Sequence, residues 1–366
     1  MIEPQTLRFG PHELQEALVW LPEPSAEAAT AESRQRSRFW IILIHGGAWR
    51  DPTITHRTFA EPTVSILLSP SALAPRGIQS VLEKRNQSLA IASLSYRLSP
   101  HPSYPETTPT TTTTAISSSS TNNNTTAAKH ASFCARNARH PDHLDDICSG
   151  LALLHETYGL TDDNYMLVGH SCGATLAFQA LQRLCSSTSP SESPFSQPPS
   201  TSSRSSSTPP PPTTIVGLAG IYDLRLLLDN HKDTPSSDIY ASFLEGAFGE
   251  DKNDWDRASP ARFISTSTST STPPGESDCL YADRSLSILL VTADKDDLVE
   301  PEQRDVMRRT ILGLGTDPEE STESPHTRST CCSRYKYTDM NIEGGHDDMW
   351  RVGERMMKVI ERALEM

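Results

Sequence analysis

Apolar and β-branched residues collect in short runs along the chain, and each run ends at a glycine or a polar cluster. The runs are FWIILIHGG (39–47), LAIASLSYRL (89–98), YMLVGHS (165–171), TIVGLAG (214–220), LSILLVTADKD (286–296) and YKYTDMNIEGG (335–345). Runs of this length with such boundaries read as buried strands. Between several of them the spacing changes to that of a helix. In PDHLDDICSGLALLHETYG, Leu144, Ile147, Leu151 and Leu154 share one face, Pro141 suits a first turn and Gly159 a stop. After GHS, Ala174, Ala177, Phe178 and Leu181 continue a second helical face. In the C-terminal MWRVGERMMKVIERALEM, Met349, Val352, Met356 and Val359 form one stripe. Strands alternating with helices predict an α/β fold, with a mostly parallel central sheet and helices on both faces.

Low-complexity stretches near 107–128, 186–214, 265–277 and 314–333 interrupt this pattern. Rich in Ser, Thr and Pro, or otherwise polar and irregular, they bury too little apolar surface to offset the entropy of ordering them. They are expected to be disordered surface insertions. Setting them aside leaves about 260–280 residues, enough for a single large domain spanning 1–366 with these insertions. The chain of 366 residues carries a formal net charge of -14 and a pI near 5.3. Such a balance disfavours nucleic acid and anionic membranes as partners. No run approaches the roughly 18 apolar residues of a membrane span. The opening MIEPQTLRFGPHELQ lacks the basic and apolar regions of a secretory signal. The seven cysteines show no CxxC spacing, and adjacent Cys331 and Cys332 do not suit a bridge to each other. Reduced thiols in a cytoplasmic protein are expected.

The chemistry gathers where the strands end. VGHSCGA fits G-x-S-x-G through Gly169, Ser171 and Gly173, between an apolar strand and a helical pattern. That context is what a nucleophile elbow needs: a tight turn that projects the serine hydroxyl, with small neighbours that let the backbone fold sharply. A serine nucleophile creates an oxyanion, which backbone N–H groups must reach. Gly46 and Gly47, in a loop after an earlier strand, suit that role, and the Cys172 N–H is the other expected donor. The serine also needs a base, and the base an orienting acid, in the chain order Ser, Asp or Glu, His. Asp294, Asp296 and Asp297 follow one predicted strand, and His346 follows the last, after Gly344 and Gly345. His45 and His170 are rival bases, but both abut motif glycines and read better as structural. No cluster has metal-ligand spacing, and neither metal nor cofactor is expected.

HGGAW, SYRLSPHPSYPE, HPDHLDDICSGLALL, GHSCGA, DDLV and GGHDD together resemble an α/β-hydrolase of the hormone-sensitive-lipase-like esterase group. Within that group, HGG-x-W with GHSCGA resembles the fungal type of kynurenine formamidase. The resemblance covers most of the chain from about residue 15, apart from the insertions. It implies Ser171 as nucleophile, His346 as base and Asp296, first residue of D-x-L-V, as acid, with Asp297 as the alternative. The third glycine common in HGGG is Ala48 here, a change that spares both backbone donors. Trp49 stands either as a wall of the acyl or aryl pocket or as ordinary core packing.

The implied activity is hydrolysis of N-formyl-L-kynurenine to L-kynurenine and formate, in tryptophan catabolism toward NAD, by a homodimer. A site for that substrate would join an aromatic wall to a cation or backbone donors for the carboxylate. Arg50 is the nearest basic residue in sequence, and pairing with Asp51 at the surface is its other reading. Two other functions share the pattern: a general carboxylesterase, and a non-catalytic small-molecule binding protein on a hydrolase fold. The presence of candidates for all three triad roles weighs against the second.

Overall fold

A computed structural model describes residues 2–21, 36–68, 76–104, 134–186, 208–263, 286–312 and 335–366. The expected insertions at 107–128, 265–277 and 314–333 lie outside the described residues, as do residues 187–207 of the 186–214 stretch. The ends of that last stretch differ from the expectation. Ser186 closes a helix, Pro209, Pro211 and Pro212 are buried, and Thr214 opens a strand. The Tyr165 hydroxyl donates to the Pro210 carbonyl, which ties the segment to the sheet.

The strands are β1 (Gln5–Arg8), β2 (Glu16–Trp20), β3 (Ser37–Ile44), β4 (Gln87–Leu94), β5 (Tyr165–His170), β6 (Thr214–Leu218), β7 (Leu286–Ala293) and β8 (Tyr335–Ile342). They form one eight-stranded sheet in the order β1-β2-β4-β3-β5-β6-β7-β8. Neighbours are parallel from β4 to β8, while β2 runs antiparallel to both β1 and β4. All six apolar runs are strands. The sequence pattern does not predict the antiparallel edge pair, β1 and β2, because these strands are short and EALVW carries no alternation.

The helices are α1 (His56–Leu67), α2 (Arg76–Lys84), α3 (Asp142–Tyr158), α4 (Cys172–Ser186), α5 (Leu224–His231), α6 (Ser237–Phe248), α7 (Lys252–Ala258), α8 (Pro260–Phe263), α9 (Glu302–Leu312), α10 (Asp348–Arg351) and α11 (Gly353–Leu364). Successive strand side chains point to opposite faces, and both faces are covered. Trp40, Ile42 and Ile44 of β3 join Ile147, Leu151 and Phe178 of α3 and α4 in one cluster. Phe39, Ile41 and Leu43 join Phe59, Ile78 and Val359 of α1, α2 and α11 in the other. Each aliphatic side chain buried this fully contributes roughly 1.5–3 kcal/mol relative to exposure. This two-sided burial explains why the strand runs are continuously apolar rather than alternating.

Helix α3 begins just after Pro141 and stops at Gly159, whose φ of 69° is left-handed, as the sequence predicts. The C-terminal stripe is different. Val352 is extended, at φ -98° and ψ 96°, and splits the segment into α10 and α11. A Cβ on Gly353 would lie 2.4 Å from the Pro62 carbonyl oxygen, so α11 starts in close backbone contact with α1. Met349, Met356 and Val359 are buried as the stripe requires.

The parallel strands all end on the same edge of the sheet, where α/β proteins place their sites. HGG follows β3, Ser171 follows β5, Asp296 lies just beyond β7 and His346 just beyond β8. Helix α4 is pressed against β3 at one point: a Cβ on Gly173 would lie 2.3 Å from the Ile44 carbonyl oxygen. Gly173→Ala is therefore expected to cost at least about 2 kcal/mol, because backbone cannot yield as a side chain does. Gly159→Ala has open space around it and should cost only about 1 kcal/mol for its left-handed φ. Urea unfolding midpoints measure both, and an equal or reversed ranking would count against this packing.

Candidate active site

Ser171 occupies the turn between β5 and α4 with a φ of 54°. A side-chain-bearing residue held there costs of order 1–3 kcal/mol and needs a reason. The reason is local. The Ser171 N–H donates to the Leu218 carbonyl at 2.8 Å. A Cβ on Gly169 would lie 2.3 Å from the Gly173 carbonyl oxygen, so the turn closes only with glycine at that position. Cys172 begins a fifteen-residue helix, and its N–H stands at the positive end of the helix.

His346 follows β8 on a loop fixed from several sides. Its Nδ1 lies 2.9 and 3.0 Å from the two Asp296 carboxylate oxygens. Both side chains are almost wholly buried. Asp296 Oδ1 also accepts the N–H groups of Leu298 and Val299 at 3.0 and 2.9 Å, which locks the carboxylate in place. Asp297 is exposed and shares no hydrogen bond with His346. Asp294 serves the loop instead. Its Oδ1 accepts the Gly344 N–H at 2.7 Å and anchors the segment that carries His346. Ser171 and His346 line the same cavity, of about 330 Å³. They share no direct hydrogen bond there, a contact that commonly tightens only when substrate binds.

The HGGAW segment packs against this turn. A Cβ on Gly46 would lie 3.1 Å from Ser171 Cβ and 2.7 Å from His170 Nδ1, so only glycine fits. Gly47, Ala48 and Trp49 all have positive φ, at 101°, 49° and 59°. The strain is held by hydrogen bonds. Arg50 and Asp51 donate their N–H groups to the Gly47 carbonyl at 3.0 and 2.8 Å. The Tyr96 hydroxyl reaches the His45 and Gly46 carbonyls at 3.0 and 3.1 Å. Cys172 Sγ accepts the Trp49 N–H at 3.3 Å, joining this loop to the first turn of α4. Burial pushes the Cys172 thiol up to about 11, so its sulfur packs and accepts rather than reacts.

Trp49 does not line the cavity, which corrects its reading as a pocket wall. The left-handed backbone turns it into the core, where it is fully buried beside Phe248 at 4.9 Å and Phe243 at 6.2 Å between ring centroids. His45 and His170 are structural, as their sequence positions imply. Burial pushes His45 down to about 3, and its ring stacks on Tyr96 with Nδ1 against the Gly46 carbonyl. Burial, with His346 close by, holds His170 well below the usual histidine range. Its Nε2 donates to the His346 carbonyl at 3.1 Å, so the residue before the serine helps place the loop of His346. Ligand-type atoms of His170, His346 and Asp347 lie within 4.8 Å of one another. One nitrogen of each imidazole is already bound, His170 Nε2 to the His346 carbonyl and His346 Nδ1 to Asp296.

No protein-family model matches the chain. It is 29% identical over 348 residues to the kynurenine formamidase-like hydrolase fscH of Fusarium equiseti, covering 94% of this chain and 88% of that protein. It is 31% identical over 331 residues to the kynurenine formamidase avaC of Aspergillus versicolor, covering 87% of this chain and 85% of that protein. The chain belongs to the kynurenine formamidase family. Carboxyl esterase 2 of Tuber melanosporum superposes with a TM-score of 0.53 at 13% identity, over 100% of this chain and 87% of the esterase. Esterase B from Lactobacillus Rhamnosis superposes with a TM-score of 0.52 at 14% identity, over 99% of this chain and 84% of the esterase. The fold is that of the α/β-hydrolase esterases.

In this kynurenine formamidase family member, the apolar wall of the cavity comes from residues that motif reasoning does not reach. Tyr240 and Phe243 project from α6, Leu298 and Val299 from the segment after Asp296, and Ile221 from the segment after β6. The Tyr240 hydroxyl donates to the Leu298 carbonyl at 2.7 Å and joins the two main walls. The sequence signal is present in IYASFLEGAF, whose apolar residues recur at helical spacing, but nothing in that spacing marks a pocket.

Because Asp296 alone of the three aspartates holds the imidazole, Asp296→Asn should lower kcat by about 10³–10⁴-fold through loss of the correct tautomer. Asp297→Asn should stay within about threefold of wild type, as a surface change does. Steady-state kinetics on any hydrolysed substrate checks the pair, and the opposite ranking would move the acid by one residue.

Proposed function

We propose that this chain hydrolyses N-formyl-L-kynurenine to L-kynurenine and formate. The observation that carries the reading is the His346–Asp296 hydrogen bond at the cavity that also holds Ser171. The 31% identity to a protein named kynurenine formamidase gives that machinery its substrate.

The steps follow from the geometry. His346 Nε2 takes the Ser171 proton while Oγ attacks the formyl carbon, and Asp296 keeps Nδ1 protonated and stabilises the imidazolium. The negative charge on the former carbonyl oxygen is met by the N–H groups of Gly46, Gly47 and Cys172, helped by the α4 N-terminus. His346 then gives its proton to the departing aryl amine, leaving a formyl ester on Ser171. Water activated by the same imidazole releases formate and restores the serine. An aryl amine leaves more readily than an alkyl amine, so esterase-type machinery is sufficient for this amide. The formyl group needs little acyl space, which fits Ser171 tucked against Gly46. The aryl ring has Phe243 and Tyr240 to lie against.

The same reading sets the protein in the cytoplasm as a homodimer acting on a small molecule. Among the described residues, Cys148 and Cys172 are free thiols, which suits a reducing compartment. No described helix is long and apolar enough to cross a membrane.

N-Formyl-L-kynurenine should be turned over with a kcat/KM at least about tenfold above that of p-nitrophenyl butyrate, equivalent to about 1.4 kcal/mol of transition-state binding. Replacing formyl by acetyl and then butyryl on the kynurenine amide should lower the rate steeply. Preference for the butyryl ester, with the formyl amide untouched, would make the protein a general carboxylesterase instead.

A further inference from the structure

Arg50 follows directly on the HGGAW loop and lines the cavity that holds Ser171 and His346. It is only 6% exposed. Among the described residues, no carboxylate lies within 4.0 Å of its guanidinium. Its polar partner is Ser242 on α6, to which Nη1 donates at 2.9 Å, and the ring of Phe243 lies 5.7 Å away. A guanidinium carries five N–H donors, and this contact uses one.

The adjacent acid does not supply the missing partner. Asp51 Oδ1 accepts the Thr53 N–H and hydroxyl at 2.8 and 2.7 Å and stays with its own turn. Other partly buried arginines of this acidic chain are satisfied. Arg97 is held by Asp146 and Asp142, Arg262 by Asp223 and Asp256, and Arg304 by Asp305. Their carboxylates raise their basicity, whereas burial lowers that of Arg50. A buried charge without a counter-ion is strongly destabilising. A protein with 46 acidic residues and 32 lysines and arginines has placed this cation on the wall of its reactive cavity with no described carboxylate within 4.0 Å.

We propose that Arg50 is a specificity-determining residue that binds the carboxylate of a substrate's amino-acid head. It would leave the aryl ring against Phe243 and the scissile carbonyl at Ser171. Asp51 and Asp347 line the same cavity. A carboxylate is therefore repelled from those positions and drawn to Arg50. The identity of the scissile bond rests on the formamidase reading, but the selection of an anion does not.

The test compares wild type, Arg50→Met and Arg50→Lys on two matched pairs of substrates. One pair is N-formyl-L-kynurenine and 2-formamidoacetophenone, which share the aryl ketone formamide and differ in the amino-acid head. The other is 3-(4-acetoxyphenyl)propanoate and 4-propylphenyl acetate, which differ in the carboxylate. The readout is the kcat/KM of the charged member divided by that of the neutral member. Arg50→Met should lower this ratio about 30-fold, mainly through KM, as expected for loss of charge-assisted hydrogen bonds. Arg50→Lys should restore part of it. If wild type hydrolyses neither formamide, the formamidase reading fails and the ester pair alone decides on Arg50. A ratio that stays within about twofold of wild type in both variants would overturn the proposal. So would an equal fall for both members of each pair, which would make Arg50 a support of the loop.

Discussion

The backbones of β3, β5 and α4 meet at two glycines, and the rest of the site depends on how closely they meet. Gly169 lies under the carbonyl of Gly173, and Gly173 lies against the carbonyls of Ile44 and His45, at distances no Cβ would tolerate. This contact places the start of α4 beside the end of β3. One approach therefore sets both the serine on its turn and the HGG segment next to it. The cost appears as left-handed backbone at Ser171, Ala48 and Trp49, of order 1–3 kcal/mol each. It is offset by the burial of Trp49 and of the strand residues behind it, which leaves a rigid frame for groups that must not move when charge develops.

Around that frame, charge is rationed. His45 and His170 are buried, and burial holds both below the usual histidine range. They work as donors, acceptors and flat surfaces for the loops that carry the reacting groups. His346 differs in having a carboxylate hydrogen-bonded to its Nδ1. That single partner separates an imidazole suited to carrying a proton from two that hold a loop. Three aspartates within four residues of chain divide along the same lines, Asp294 on the loop, Asp296 on the imidazole and Asp297 in solvent.

Much of this is legible in the chain itself. A strand buried on both faces is a continuous apolar run, so the six runs are visible. The elbow is visible because tight backbone contact demands glycine, and glycine is a letter in the sequence. The ends of the strands announce Ser171, the HGG segment and His346. What stays hidden depends on tertiary contact. Ala48 and Trp49 bear no mark of their positive φ, so the inward turn of Trp49 cannot be foreseen. The break at Val352 falls where α11 packs on α1, a contact remote in sequence. The doubled aspartate at 296–297 is resolved only by the imidazole across from it. The cavity wall on α6 reads as an ordinary amphipathic helix, because a pocket and a core place the same demand on a side chain.

The central claim is that Ser171 is the nucleophile, activated by His346. Reaction of the wild-type protein with a fluorophosphonate, followed by peptide mass mapping, tests it most directly. The phosphonyl group should be found on one residue, Ser171, at one equivalent per chain, and His346→Ala should slow its attachment by at least about 10³-fold. Attachment at any other residue, or at Ser171 with an unchanged rate in the histidine variant, would contradict the account.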